Sequence, residues 1–206
     1  MSIAIVIVFC LLILCEYIVR TKTIHHEFVR KSIHIGVGTF VAFWPFFLSW
    51  QEIQIIGVAF FIAVLVSAKL RLFRAVHRKE GGVVGELLFA TVITVLAFIQ
   101  PDAWIFTIAI LQLSLADGLA AIMGTRWGKT NHYTIFGKVK SIVGSMTFLI
   151  TSFCVCATYV VMTDENPGLL VLITLPIMAT IVEGISIKGT DNFTVPVLTA
   201  LLLIIH

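Results

Sequence analysis

The sequence predicts an all-α fold, a polytopic membrane bundle of about seven or eight transmembrane helices, and three observations carry that prediction. Hydrophobic residues make up 59% of the chain and charged residues 12%, with a mean hydropathy of +1.08, far from the composition of a soluble domain. The apolar residues fall into runs of roughly the 20 residues that a helix needs to cross a hydrocarbon core. Threading the chain through those runs places all fourteen Lys and Arg residues on one side, so the positive-inside rule puts the basic loops in the cytoplasm and the N-terminus outside.

The candidate spans are 3–19, 32–49, 53–69, 83–100, 103–123, 142–162, 168–186 and a short last one at 193–206. Met1 runs straight into the first span and the first cations, Arg20 and Lys22, follow it. That order favours an anchor that stays over a cleaved signal peptide. The helix of the second span begins near residue 27, and the Phe and Trp residues at 40–50 read as an interfacial belt. Arg71, Arg74, Arg78 and Lys79, between the third and fourth spans, suit a surface for anionic headgroups. The outer loops carry Glu52, Asp102, Asp164 and Glu165 and no cation. Cys10, Cys15, Cys154 and Cys156 lie in spans without metal-ligand spacing and read as small apolar fillers. No Pro/Ser linker or low-complexity stretch interrupts the chain, so 1–206 is expected to be a single integral-membrane domain. The one-sided charge suits anionic headgroups or a nucleotide and argues against nucleic acid.

The polar chemistry lies at the basic ends of the spans. Asp117 sits in an apolar helix near its inner end, where a carboxylate needs a partner cation, a metal or a water-filled cleft. Ser114, Ala121 and Gly124 share its helix face. Gly124, Gly128 and Gly137 flank Arg126, Lys129, Lys138 and Lys140 in a Gly-rich loop able to bring N–H groups and cations around phosphate. GTRWGKT, from Gly124 to Thr130, is one residue too short for a Walker A loop and follows a helix where a strand is needed. Arg126 and Lys129 have a second reading, as topology determinants against anionic lipid. Ser32 and Ser141 stand at similar helix starts in Lys31-Ser32-Ile33 and Lys140-Ser141-Ile142, four spans apart, which hints at a parallel duplication. Each can cap its helix, where free N–H groups also favour anions.

Glu183, Asp191 and Asn192 are the companions expected for Asp117. Two or three such carboxylates could hold Mg2+, and one could take a proton from an attacking hydroxyl. A turn ahead of Pro196 is the structural alternative for Asp191 and Asn192. Arg30 and His34 share a helix face, with Lys31 beside them, and could add a second cationic wall. Glu16 and Glu86 have the plainer reading of pairing with a nearby cation.

At these residues the chain resembles the CTP-dependent polyprenol kinase family of dolichol kinase, phytol kinase and CTP-dependent diacylglycerol kinase, and looks like a compact, prokaryotic-type member. The resemblance rests on RKSIHIG from Arg30 to Gly36, LADGLAAIMGTRWGK ending at Lys129, GKVKSIVGS from Gly137 to Ser145, Glu183, and DNFTVP from Asp191 to Pro196. It implies transfer of the terminal phosphate of CTP to a lipid hydroxyl, with a divalent metal. Carried onto matching positions, it places Asp117, Gly124, Gly128, Lys138, Lys140, Ser141, Gly144 and Ser145 around the nucleotide, with Glu183, Asp191 and Asn192 nearby. Val143 departs from the family, which often has an acidic residue there, and shifts metal binding to Asp117, Glu183 and Asp191.

The expected function is therefore a lipid kinase at the cytoplasmic face of the cell membrane, with Asp117 and Glu183 catalytic, Asp117 the chosen base, and CTP, a membrane lipid alcohol and the bilayer as partners. A homodimer is compatible with so small a bundle. Two alternatives stay open. A phosphatidate cytidylyltransferase-like enzyme also meets CTP and lipid, but its long acidic and Gly-rich C-terminal signature is missing. A transporter of an anionic or lipid-linked substrate would also bury charges, yet polar residues gather at one face and almost none cross.

Overall fold

The computed structural model describes residues 10, 13, 26–70, 84–163, 167–187 and 189–205, with the side chains of His26, Glu27 and Lys138 excepted. The first predicted span apart from Cys10 and Ile13, the Arg71–Lys79 run, Arg20, Lys22, Glu16, Cys15, Asp164, Glu165 and Lys188 lie outside the described residues.

Helix α1 runs His26–Ala42 and buries Val29, Ile33, Val37 and Val41 along one stripe, the four-residue spacing of a helix packed on a core. Its start agrees with the helix expected from near residue 27, ahead of the apolar span 32–49, and it stops earlier than that span because Pro45 cannot continue a helix. A 3-10 turn, Trp44–Phe46, follows it. Ser32 therefore lies inside α1, where its Oγ donates to Phe28 O at 2.9 Å. The expected N-cap at Ser32 is replaced by this back-bond to the preceding turn.

Ser49 and Glu52 form a capping box at the start of α2, Trp50–Leu70, with Ser49 N donating to Glu52 Oε2 at 3.0 Å and Glu52 N to Ser49 Oγ at 3.4 Å. Helix α3, Val84–Ile99, packs antiparallel on α2, with Gly57 against Thr94 and Gln54 Nε2 donating to Ala97 O at 2.9 Å. Gln100, at a φ of 52°, ends α3 in the left-handed conformation. Asp102 then caps the next helix by accepting from Trp104 N at 2.8 Å.

That next helix is the centre of the molecule. It comprises α4 (Ala103–Leu111), a π-helical turn (Gln112–Ala116) and α5 (Asp117–Trp127). Of its apolar stretch 78% is buried, against 28% to 33% for the other three helices long and apolar enough to span among the described residues. Those are α2, α6 (Ile142–Thr163) and α7 (Gly168–Ile185). α3, with 16 residues, and α8 (Asp191–Ile205), with 15, are shorter apolar helices. α1, α6 and α8 pack around the central helix, and α7 bridges α6 and α8. The structure is the predicted all-α membrane bundle.

One departure lies inside the segment read as a Gly-rich loop. Residues 132–141 form an antiparallel hairpin of β1 (His132–Ile135) and β2 (Lys138–Ser141). Its two-residue turn has both central residues at positive φ, Phe136 at 47° and Gly137 at 75°, the type I′ geometry that suits the twist of a hairpin. β2 leads directly into α6, and there Ser141 does cap, accepting from Gly144 N at 3.1 Å. At the far end of the bundle Trp104 packs on Phe46 and Phe43, with ring centroids 4.9 and 6.5 Å away.

Candidate functional site

Glycines decide how closely α1 approaches the central helix. A Cβ at Gly38 would overlap Ser114, and one at Gly118 would overlap Ile35. This antiparallel seam carries the basic first turns of α1 to Asp117, which is 6% exposed. Lys31 Nζ donates to Asp117 Oδ2 at 2.6 Å, and His34 Nε2 stands 3.8 Å from the same oxygen.

Asp117 also sits where the helix changes pitch. Its N–H bonds to Gln112 O and Ser114 O. The carbonyl between them, Leu113 O, takes a hydrogen bond from His34 Nε2 at 3.2 Å. The wide turn thus fixes His34 beside Asp117, and the Phe89 ring packs on the imidazole with centroids 5.2 Å apart.

The hairpin supplies the second cation. Lys140, opposite Tyr133 in the register, donates to the Glu183 carboxylate and, at 3.0 Å, to Glu183 O. Tyr133 shares a 2.5 Å hydrogen bond with Ser145 on the first turn of α6, which ties the strand to the helix it feeds. Glu183 is 7% exposed, near the end of α7. Burial of two carboxylates is tolerable only with charges paired this way.

Asp191 completes the group as the first residue of α8, just after Gly189, whose φ is 84°. Asp117, Glu183 and Asp191 each present an oxygen, and these atoms all lie within 4.8 Å of one another. Three carboxylate oxygens are hard donors of the kind that hold Mg2+ or Ca2+, so this set fits a divalent cation.

The other predicted positions fall around this core. Gly124, Gly128 and Gly144 form a packing seam between α5 and α6, since a Cβ at Gly128 would overlap Ser141 and one at Gly144 would lie 3.1 Å from Ala120 O. Asn192 turns to α3, its Nδ2 donating to Gly85 O at 2.8 Å. Arg30 is half-buried on α1, Lys129 is exposed beyond α5, and Gly137 stands in the open hairpin turn. The side chain of Lys138 lies outside the described residues. Tyr133 was not anticipated, although the alternation in His132-Tyr133-Thr134-Ile135 ahead of Phe136-Gly137 is a strand-and-turn signal.

Oxygen ligands and ammonium groups gathered at one end of apolar helices define a membrane protein equipped for charged-group chemistry. Over 184 residues the chain is 34% identical to phytol kinase of Synechocystis sp. (strain ATCC 27184 / PCC 6803 / Kazusa), a match covering 85% of this chain and 78% of the relative. No family profile and no solved structure matches it. The chain belongs to the polyprenol and phytol kinase family. It is a membrane kinase, a phosphotransferase with an alcohol acceptor.

Proposed function

We propose that this protein, acting as one integral-membrane domain, transfers the terminal phosphate of CTP to the hydroxyl of a membrane lipid alcohol of the prenol type. The observation that carries the reading is the meeting of Asp117, Glu183 and Asp191 within 4.8 Å, each of the first two paired to a lysine, Lys31 and Lys140. The basic ends of the spans support a cytoplasmic active site, and the apolar flanks support delivery of the acceptor from the bilayer. Phytol as acceptor comes from the similarity to phytol kinase.

In this mechanism the acceptor oxygen attacks the terminal phosphorus, the bond to the bridging oxygen breaks, and CDP leaves. Asp117 takes the hydroxyl proton, and its buried position keeps bulk water from competing as acceptor. Lys31, Lys140 and Arg30 face the phosphates, and the N-terminus of α6 adds the positive end of its helix dipole. Asp117, Glu183 and Asp191 would hold Mg2+, which when bound spreads the charge of the transferring group.

The test offers purified protein terminally labelled CTP or ATP with a panel of prenols and diacylglycerol. CTP-dependent labelling of a prenol, lost in Asp117→Asn, is expected. An Asp117→Asn protein that is folded and retains wild-type turnover would remove Asp117 from the chemistry.

A further inference from the structure

Lys31 and Lys140 belong to the two Lys-Ser-Ile triplets, and the structure gives the lysines matching tasks. Lys31 Nζ sits on Asp117 at 2.6 Å, and Lys140 Nζ sits on Glu183. The serines do not match, since Ser32 bonds back to Phe28 O while Ser141 caps α6. What the triplets share is delivery of one ammonium group to one buried carboxylate.

Those carboxylates are the ones whose oxygens cluster with Asp191. The lysines lie on the more open side of them, with side chains 12% and 19% exposed against 9% for each carboxylate. Asp117 and Glu183 carry two negative charges, and the two ammonium groups on them balance both. A divalent cation added to these carboxylates would leave four positive charges against two, unless the lysines turn to an anion. A Lys ammonium is a compact point charge on a flexible stem, suited to such a change of partner. His34 is less free to move, being bound to Leu113 O and packed on Phe89.

We propose that Lys31 and Lys140 are exchangeable counter-cations: they hold Asp117 and Glu183 in the absence of ligands and pass to the nucleotide phosphates when a divalent cation takes the carboxylates. The inference rests on the metal-holding role proposed above. Cation and nucleotide then assist each other's binding, because each removes the competitor of the other. A cation alone must displace two ammonium groups and binds weakly.

The experiment is a Mn2+ titration followed by electron paramagnetic resonance on the full protein in detergent, without nucleotide or lipid. Lys31→Met and Lys140→Met are each expected to bind Mn2+ about tenfold more tightly than wild type, about 1.4 kcal/mol, and Asp117→Asn to bind it more weakly. Unchanged or weakened affinity in both lysine variants, with binding still weakened in Asp117→Asn, would overturn the exchange and leave the metal role standing. No saturable Mn2+ in any form would overturn both. Acylation of Lys31 and Lys140 in wild type by an amine reagent, read by mass spectrometry, needs no variant to fold: Mn2+ should raise their labelling, and equal labelling with and without Mn2+ counts against the exchange.

Discussion

Replacing Lys31 by Met leaves Asp117 buried at 6% exposure without its nearest cation. At 2.6 Å and an effective dielectric constant near 20, the gross attraction is about 6 kcal/mol. Desolvation consumes part of it, and breaking one side of a buried pair costs about 3 to 5 kcal/mol. For a chain of this size that is a fall in melting temperature of about 6 to 20 °C, at about 2 to 4 °C per kcal/mol. Asp117→Asn in the same background removes the stranded charge, so the double variant should recover more than half of the loss. The assay is thermal unfolding in detergent with a chelator present, for wild type, both single variants and the double variant. Additive losses in the double variant, or a Lys31→Met protein melting within about 2 °C of wild type, would show that this pair does not carry the burial of Asp117.

The other predictions concern backbone geometry and the hairpin. Gly128→Ala forces a methyl into Ser141 and should cost about 1 to 3 kcal/mol, whereas Gly36→Ala, with nothing within 4 Å of the new carbon, should gain about 0.5 to 1 kcal/mol in its helix; melting temperatures of the two variants would move in opposite directions. Phe136 holds a φ of 47°, so Phe136→Asn should stabilise the turn by about 1 kcal/mol, read as slower hydrogen exchange of the β1 and β2 amides. Tyr133→Phe removes the hydroxyl that meets Ser145; a loss of about 0.5 to 1.5 kcal/mol should speed exchange in the same amides, and unchanged exchange would mean the hydrogen bond does not hold the hairpin down.

Much of this architecture could be read from residues near one another in the chain. The apolar runs gave α2, the central helix, α6 and α7, because bilayer length and composition are local properties. Asp117 and Glu183 stood out because a carboxylate in an apolar helix demands an explanation. α1 was misjudged at its far end, where Pro45 stopped it early, while its start near residue 27 was legible from the polar residues it carries ahead of the apolar run. The hairpin was hidden by Gly137 and the lysines beside it, which resemble a phosphate loop; the alternation around Tyr133 was the available signal. Which lysine meets which carboxylate was out of reach, because Lys31 and Asp117 are 86 residues apart and Lys140 and Glu183 are 43 apart. The π turn had no signature at all in the letters from Gln112 to Ala116.

That turn has a geometric effect on everything after it. An α-helix advances 100° per residue, so the one additional residue in the loop from Asp117 N to Gln112 O indexes the second half of the span by nearly a third of a revolution relative to the first. Residues 103–111 and 117–127 are thus two phases of a single rod. Deleting any one residue from 112–116 would bring them back into phase, keep the hydropathy of the span almost unchanged, and swing the Asp117 carboxylate away from Lys31 toward another wall of the bundle. Alignments that treat this span as a uniform helix would place its two ends on one face, when the chain has been cut to keep them on different ones.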